Sequence, residues 1–339
     1  MNTKPTYKIA LDAMGGDFAP ANEIKGALLA SEILNQHHNI EIVFVGDESK
    51  IKDELSKQNN SAMNYSIHHT DEIVDMHDDP TQIVKTKKNS SLYKAMELHS
   101  ERKVDAFVSA GNTGAVLSTG TILLGRIKGV SRPTIGSFFP TVTKRPVLIL
   151  DVGANLEPKP KYLYEFAVMG SIFSKQMLNI ERPKVGLLNV GEEKEKGTEL
   201  LQETNILLSE SNLNFIGNVE GRDLLQGNID VVICDGFTGN VVLKFAEGVF
   251  SFLKGKIKAM AAKSIVNKGI ILLISPFLKN LFKELDYQQY GGVPLLGVDG
   301  VVIIGHGKSS PLAIQNMIIR AVEYIDKNIN EKIKFALNL

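Results

Sequence analysis

Eight short loops of this 339-residue chain are rich in glycine, asparagine and aspartate, and each follows a run of apolar residues. Glycine lets backbone N–H groups approach an anion closely, and a helix that follows such a loop presents its positive end. One such loop is ordinary turn chemistry, but the set of eight favours an enzyme with a phosphate-bearing ligand. The loops begin at residues 12, 46, 109, 151, 189, 217, 234 and 305.

Several well-known motifs are absent from these loops. No G-x-G-x-x-G follows the first apolar run, so a Rossmann dinucleotide site has no support. The run Gly305-His-Gly-Lys-Ser ends like a Walker motif, but Val302 stands where the first glycine of that motif should be. The chain also has no G-x-S-x-G elbow and no H-E-x-x-H.

A few single residues could carry chemistry. His68, His69 and His77 lie in an acidic stretch, but their spacing fits no standard metal-ligand set, so we expect no metal site. Cys234 ends an apolar run and could accept an acyl group, although a buried cysteine at a strand end is more often inert. His306 lies in a glycine-rich loop, where an acid, base or phosphate-binding role and a structural role are both open.

The apolar runs contain four to six residues, are rich in valine and isoleucine, and alternate with stretches of helical periodicity. This alternation predicts an α/β fold with a mostly parallel sheet covered by helices on both faces. In such sheets, ligands bind beyond the carboxyl ends of the strands. We predict one catalytic unit over residues 1–339, whose last helix starts with Ser310 as cap and Pro311 in the first turn.

Composition narrows the function further. Lys+Arg and Asp+Glu are equal at 38 each, so the overall charge makes no case for nucleic-acid binding. One cysteine excludes an intramolecular disulfide and fits a reducing, cytoplasmic location. No apolar stretch has the form of a signal peptide or reaches the roughly 18 residues of a membrane span.

Residues 245–290 form a predicted helical extension. Between Glu247 and Glu284 the chain has no acidic residue but seven lysines, which surround a short apolar run. This pattern suits an anchor on an anionic membrane surface, and equally an apolar face that packs on a second subunit. The residues assigned to this membrane or partner contact are Lys263, Lys268, Ile271, Leu272, Leu273, Ile274, Phe277, Leu278 and Lys279.

Eight motifs in order along the chain resemble those of the bacterial phosphate acyltransferases of phospholipid synthesis, the acyl-[acyl carrier protein]:phosphate transacylases. The motifs are IALDAMGGD (9–17), SAGNTGA (109–115), DVGAN (151–155), GLLNVGEE (186–193) followed by Lys196-Gly197, FIGNVEGRD (215–223), DVVICDGFTGN (230–240), YGGVPLLG (290–297) and HGKS (306–309). They extend over essentially the whole chain.

The resemblance implies a fold, a reaction and partners. The fold is a three-layer α/β/α sandwich like those of isopropylmalate dehydrogenases and phosphotransacetylases. The reaction is acyl-[acyl carrier protein] plus inorganic phosphate giving acyl phosphate and free carrier protein, without a cofactor. The acyl phosphate supplies the membrane enzyme that acylates glycerol 3-phosphate. The resemblance also implies that the protein is a cytoplasmic homodimer. This dimer would associate peripherally with the inner face of the cell membrane.

Motif membership and loop position assign the site residues. Cationic and N–H donors should hold phosphate and the oxyanion, while carboxylates orient the donors, and we expect direct transfer without an acyl-enzyme. The predicted catalytic residues are Asn155, Asn189, Lys196, Asp235, Asn240, Lys244 and His306. The predicted substrate-binding residues are Asp12, Gly15, Gly16, Asn112, Thr113, Gly114, Asp151, Glu193, Arg222 and Lys308.

One position departs from the family pattern, and two other functions stay open. Lys85 stands where the family commonly has arginine. The lysine keeps the positive charge but cannot form the bidentate contact of an arginine.

The acidic carrier protein is predicted to contact one of two basic surfaces, either Lys85, Lys87 and Lys88 or the 254–283 segment. The alternatives are a dehydrogenase of the isopropylmalate type and a membrane-docked scaffold for lipid enzymes.

Overall fold

The computed structural model describes residues 4–58, 63–143, 145–284 and 292–338. The strands are β1 (Thr6–Asp12), β2 (Asn39–Gly46), β3 (Asn64–His69), β4 (Ala106–Ser109), β5 (Thr134–Phe139), β6 (Val147–Leu150), β7 (Lys184–Leu188), β8 (Asn214–Val219), β9 (Val231–Ile233), β10 (Val293–Leu296) and β11 (Val302–Ile304). The helices are α1 (Ala21–Leu34), α2 (Glu48–Ser56), α3 (Pro80–Thr86), α4 (Ser91–Ser100), α5 (Thr113–Leu123), α6 (Pro160–Met177), α7 (Glu199–Ser209), α8 (Gly236–Ala262), α9 (Ile265–Glu284), α10 (Pro311–Asp326) and α11 (Ile329–Leu337), with a short 3-10 turn at Gly221–Leu225.

All eleven strands form one sheet in the order β3-β2-β1-β4-β11-β10-β5-β6-β9-β7-β8. The first five strands of this order run parallel to one another, and so do the last four. β10 is antiparallel to both β11 and β5, and β5 is antiparallel to β6, so the two parallel blocks run in opposite directions. The prediction of a mostly parallel α/β sheet is confirmed. The opposite directions of the two parallel blocks were not predicted.

The hydrophobic core lies on both faces of the sheet. Along β1, Ile9 and Leu11 belong to one buried cluster and Ala10 to the other. Along β9, Val231 and Ile233 lie on one side and Val232 on the other. Because both faces are covered, these strands read as continuous apolar runs instead of alternating ones. The eight predicted runs are all strands, and β3, β5 and β10 were missed.

The last large helix begins as predicted. The hydroxyl of Ser310 accepts a hydrogen bond from the backbone N–H of Ala313 at 3.3 Å, and Pro311 occupies the first turn. This helix, α10, packs against α1. This contact holds the first turn of α10 beside the loop that follows β11.

Helices α8 and α9 form a helical hairpin. A helix as long as α8, with 27 residues, extends roughly 40 Å at 1.5 Å per residue. The predicted extension started at residue 245, whereas α8 begins nine residues earlier because its first turn belongs to the α/β body. Pro276 lies inside the continuous helix α9. Residues 285–290 of the predicted extension lie outside the described residues.

Many large apolar side chains of the hairpin face outwards. Leu273 is 82% exposed and Phe277 is 70% exposed, and the α8 residues Phe245 and Phe252 are similarly open. Of the predicted contact residues, the side chain of Lys279 lies outside the described part of the chain. Among the described helices, none is long and apolar enough to cross a membrane.

Candidate active site

A cavity of about 380 Å³ lies at the junction of the two parallel blocks. Four of the eight polar loops reach it: those after β4, β6, β9 and β11. Its polar lining consists of Thr113, Ser137, Asn240, Lys244, Glu247, His306 and Ser309. Its apolar lining consists of Leu117, Ile135, Phe138, Val152, Leu243, Val293, Ile304 and Ala313. Because the blocks run in opposite directions, the eight loops do not gather at one edge of the sheet.

The loop after β6 is organised by a buried carboxylate. Asp151 accepts hydrogen bonds from the backbone N–H groups of Ala154 at 3.1 Å and Asn155 at 2.6 Å, and from Asn155 Nδ2 at 2.8 Å. Burial raises the pKa of Asp151, and these hydrogen bonds oppose the rise. Asn155 Nδ2 also donates to the carbonyl of Pro133 at 2.8 Å. The structure therefore places the Asn155 amide within the loop, and this residue does not line the cavity.

The start of α8 is fitted against that loop. The carboxylate of Asp235 caps the helix by accepting hydrogen bonds from Thr238 N–H at 2.8 Å and Thr238 Oγ1 at 2.6 Å. A Cβ on Gly239 would lie 1.9 Å from the carbonyl oxygen of Asp151, so only glycine allows this approach. The helix direction set here brings Asn240 and Lys244 into the cavity on one face of α8.

Cys234 lies behind this junction and does not line the cavity. Its side chain is 1% exposed, and its Sγ–H donates to the carbonyl oxygen of Asp151 at 3.4 Å. Burial, together with the charges of Asp151 and Asp235, raises the pKa of the thiol well above its ordinary value. A thiol held protonated and enclosed in this way is a poor nucleophile.

Asn112 positions the start of α5. Its Oδ1 accepts the backbone N–H of Ala115 at 3.0 Å, which caps the helix. Its Nδ2 lies 3.2–3.3 Å from the carbonyl oxygens of residues 75, 76 and 78. The predicted phosphate donor is thus engaged by the protein itself. Its two neighbours Thr113 and Gly114 line the cavity instead.

The loop after β1 supports the cavity from outside. The buried carboxylate of Asp12 accepts the hydroxyl of Ser109 at 2.7 Å, and burial raises its pKa. Gly15 lies so close to Asp12 and Gly111 that a Cβ there would meet Gly111 N at 2.9 Å. Gly16 similarly lies over the carboxylate of Glu23. Asp12, Gly15 and Gly16 therefore pack the loops, and none of the three lines the cavity.

Glu23 is a buried carboxyl below this loop, with 1% of its surface exposed. Burial, and to a lesser extent the neighbouring charge of Asp12, raises the pKa of Glu23 to about 8. Its Oε2 has no hydrogen-bond partner among the described residues. A hydrogen bond joins the loop after β1 to the loop after β11: the backbone N–H of Asp17 donates to the Gly307 carbonyl at 2.7 Å.

His306 lines the cavity in the loop after β11. The backbone N–H of Lys308 donates to His306 Nδ1 at 3.2 Å, so in the neutral ring Nε2 carries the proton. His306 is therefore a hydrogen-bond donor at Nε2. The exposed side chain of Lys308 is not part of the cavity wall.

Four predicted residues form a separate group at the far side of the second block. Asn189 Nδ2 donates to the Lys196 carbonyl at 3.0 Å, and Asn189 Oδ1 accepts the backbone N–H of the next residue at 2.8 Å. Arg222 forms ion pairs with Glu220 at 3.2 Å and Glu192 at 3.5 Å. The predicted residues of this group, which the structure does not bring to the cavity, are Asn189, Glu193, Lys196 and Arg222.

The structure thus brings five predicted residues to the cavity wall and adds three polar residues that were not among the predicted site residues. The five are Thr113, Gly114, Asn240, Lys244 and His306. The three are Ser137, Glu247 and Ser309. Glu247 could have been found, since it stands one turn after Lys244 on the same helical face. Ser137 carried no signal because β5 itself was not predicted.

The acidic stretch with three histidines does not assemble a metal site. No group of three or more His, Cys, Asp or Glu residues suited to a metal ion occurs among the described residues. His69 forms an ion pair with Asp71 at 2.8 Å, and Asp79 caps α3. Lys87, one of the predicted carrier contacts, is paired with Asp78 at 2.5 Å and donates to a carbonyl of the same stretch.

Comparison with known proteins places the chain in a family. Residues 7–332 match the family model described as fatty acid synthesis protein. Phosphate acyltransferases from Dictyoglomus turgidum and Halothermothrix orenii are 47% and 46% identical to it, over 98% of this chain and 98% of each relative. The chain belongs to the phosphate acyltransferase family. This membership makes it an acyltransferase and favours neither the dehydrogenase nor the scaffold alternative.

Solved structures show the same fold at lower identity. A phosphotransacetylase from Streptococcus pyogenes superposes with a TM-score of 0.61 at 16% identity, covering 95% of this chain and 94% of that one. A phosphotransacetylase from Staphylococcus aureus gives a TM-score of 0.58 at 18% identity, with 94% of both chains covered. The predicted phosphotransacetylase-like fold is thereby confirmed for this phosphate acyltransferase.

Proposed function

We propose that this phosphate acyltransferase transfers a fatty acyl group from acyl-[acyl carrier protein] to inorganic phosphate. The acyl phosphate then serves the acylation of glycerol 3-phosphate. The observation that carries the proposal is the composition of the cavity. Lys244, Asn240 and His306 offer a cation and donors to an anion, and the first turns of α5 and α10 add their positive ends. The apolar remainder of the wall suits an acyl chain.

The reaction proceeds by direct attack of a phosphate oxygen on the thioester carbonyl. The leaving thiol has a pKa near 8.5, so the C–S bond breaks readily once the tetrahedral oxyanion is stabilised. Lys244 and Asn240 hold the phosphate, and the donors around it stabilise the oxyanion. Asp151 and Asp235 act indirectly, because they fix the loop and helix that carry these donors. No cofactor takes part.

The acidic carrier protein would dock on exposed lysines near the cavity. Lys85 and Lys88 are exposed on and after α3, whereas Lys87 is held by Asp78 and contributes less to docking. The lysines of α8 and α9 whose side chains the structure describes provide a second basic surface, with Lys254 over the ring of Phe282 at 5.4 Å. Docking by charge should weaken with increasing salt concentration.

The hairpin would serve as the peripheral membrane contact at the inner face of the cell membrane. Its exposed apolar residues on α9 occur together with lysines and without acidic residues from 248 to 283. Apolar side chains provide burial below the headgroups, and lysines provide attraction to anionic lipid. Its apolar surface is thus accounted for without a membrane-spanning helix.

A second copy of the chain would cover the outer face of α8. One face of this helix carries four large apolar residues spaced as on a single helical face. They are Phe237, Val241, Phe245 and Phe252, and Gly248 lies between the last two, so successive positions are three or four residues apart. All four large side chains are exposed in the single chain. Sedimentation velocity should show a dimer for the wild type and a monomer for Phe245→Asp. A wild-type monomer would contradict this part of the proposal.

The function is tested by thiol release from palmitoyl-[acyl carrier protein] with and without inorganic phosphate. Hydroxylamine traps any acyl phosphate that forms. We expect release that requires phosphate and yields the trapped acyl product. Release without phosphate would identify a thioesterase, and absence of release from folded protein would overturn the proposal.

Lys244→Met tests the phosphate site. Removing the cation of the cavity should raise KM for phosphate at least about tenfold, since a hydrogen bond to a charged group contributes about 1.5–3 kcal/mol. Lys258→Met, on the same helix and exposed, is the matched control and should leave KM unchanged. Equal effects of both variants would show that Lys244 acts only through the general charge of α8.

A further inference from the structure

Glu247 is the one carboxylate among the described residues that line the cavity. It is half-buried and follows Lys244 by three residues and Asn240 by seven, so the three side chains share one face of α8. Glu247 forms no ion pair or hydrogen bond with the described residues, Lys244 included. A carboxylate repels phosphate, so its presence in this wall is not explained by substrate binding.

We propose that Glu247 is the proton acceptor and donor of the phosphate acyltransfer reaction. This inference rests on the function proposed above and adds a catalytic residue to it. Inorganic phosphate near neutral pH is partly the monoanion, which must lose a proton to become a strong nucleophile. A carboxylate within hydrogen-bond reach of that hydroxyl can take the proton as the new bond forms.

The step balances in atoms and charge. Monoanionic phosphate attacks the carbonyl carbon, and its P–O–H proton passes to the carboxylate of Glu247. The tetrahedral intermediate then collapses, the C–S bond breaks, and Glu247 returns the proton to the departing sulfur. The products are acyl phosphate and free thiol, and Glu247 ends as a carboxylate.

The other titratable groups facing the cavity are poorly suited to this task. Lys244 is a cation on the same helix face, and it is needed as the anion partner. His306, on the loop after β11, accepts the Lys308 N–H at Nδ1, so only Nε2 faces the cavity, as a hydrogen-bond donor. Asp151 and Asp235, which organise the loop after β6 and the start of α8, are occupied by loop and cap hydrogen bonds. Glu247 is the group left to exchange a proton.

Steady-state kinetics of Glu247→Gln at several pH values test the proposal. General-base catalysis contributes roughly 10²–10⁴-fold, so we expect kcat to fall by at least about 100-fold at pH 6. The loss should shrink towards pH 8.5, because dianionic phosphate needs no base. KM for phosphate should stay equal or decrease, since a repelling charge is removed. Glu247→Asp should recover part of kcat.

Two comparisons keep the outcome clear. Glu203→Gln on α7, exposed and away from the cavity, should behave like the wild type. A Glu247→Gln loss that is constant with pH, or that appears as a raised KM for phosphate, would overturn the proton-transfer role. A wild-type enzyme without phosphate-dependent release would instead reject the underlying function.

Discussion

The thiol of Cys234 is close in sequence to the cavity residues yet closed off from the cavity in space. Its burial and its neighbouring carboxylates keep it protonated, which is the opposite of what an acyl-accepting thiol requires. At the scale of single residues, then, the enclosed thiol supports the proposed direct attack by phosphate. The polar groups of the cavity wall come from β5, from the first part of α8, and from the loops and helix starts after β4 and β11, while several predicted donors stabilise the loops.

Cys234→Ala should leave phosphate-dependent thiol release close to the wild-type rate. Loss of a covalent nucleophile would cost on the order of 10⁴-fold or more, so the two mechanisms are well separated. Mass spectrometry of the wild type during turnover should detect no acyl adduct. A folded but inactive Cys234→Ala protein would contradict direct transfer.

Glu23 should make folding stability depend on pH. Burial raises its pKa from 4.5 to about 8, so the folded protein binds this proton more tightly than the unfolded chain does. The stabilisation is present below about pH 4.5 and is lost as pH rises through about 8. Glu23→Gln mimics the protonated form, so it should be at least about 1 kcal/mol more stable than wild type at pH 8.5, given about 1.4 kcal/mol per pKa unit.

Urea unfolding at pH 5 and pH 8.5 measures this difference. Near pH 5 the two proteins should have similar free energies of unfolding. Glu32→Gln, on the exposed side of the same helix, is the control and should show no such pH-dependent gain. A Glu23→Gln advantage that is the same at both pH values would contradict a buried, proton-binding carboxyl.

At the scale of elements, the start of α8 is the junction that builds the site. Asp235 caps the helix, Gly236 and Gly239 allow it to touch the loop after β6, and the next turns bring donors into the cavity. The same helix continues into the exposed hairpin. One element therefore joins the candidate active site to the surface proposed to meet membrane and second subunit.

Gly239→Ala should displace this junction. The new Cβ would meet the carbonyl oxygen of Asp151 at 1.9 Å, and backbone there cannot move aside cheaply. Overpacking of this kind costs about 1–3 kcal/mol, and activity should fall with it because Asn240 and Lys244 move. Thermal unfolding and thiol release measure the two effects.

Gly269→Ala on α9 is the matched control. A Cβ at that position meets nothing within 4 Å, so the change should stabilise the helix by about 0.5–1 kcal/mol and leave activity intact. If Gly239→Ala were as stable and active as Gly269→Ala, close contact at the start of α8 would not be needed.

At the scale of the whole molecule, the sheet reversal and the hairpin define the architecture. Two parallel blocks face opposite ways, and four of their polar loops, those after β4, β6, β9 and β11, meet at the cavity between the blocks. The hairpin exposes its apolar residues outside both blocks, which the α/β core does not require for its own packing. A surface contact is the economical explanation of that exposure.

The double change Leu272→Glu and Leu273→Glu should weaken binding to vesicles of phosphatidylglycerol and phosphatidylcholine by at least about tenfold, which corresponds to about 1.4 kcal/mol. Both side chains are exposed on α9, and a charge opposes their burial below headgroups. Co-sedimentation measures binding. Ile206→Glu, an exposed apolar position on α7, should bind like the wild type, and equal weakening by both variants would argue against a specific hairpin contact.

The sequence alone determined the fold class, the family and the loops that carry polar chemistry. Apolar runs with glycine-rich ends are local patterns, so eight strands, the Ser310 cap and the loop position of His306 could be predicted. Asn240 and Lys244 lie beyond the first turn of α8, which the sequence had placed before the helical extension. β5 and β10 could not, because their sequences contain glycine, serine or proline among the apolar residues.

Only the tertiary structure decided which loops meet and which side chains remain available to a ligand. The reversal at β10 and β5 depends on pairing between residues more than 100 positions apart, and no local pattern reports it. Asn112, Asn155 and Asn189 look like Asn240 in sequence, yet their amides are bound within the protein. The amides of Asn112 and Asn155 donate to the carbonyls of Met76 and Pro133, which lie 36 and 22 positions away, and the amide of Asn189 donates to the Lys196 carbonyl of its own loop. An amide has a limited number of hydrogen bonds to give, and folding determines whether a partner within the protein takes them.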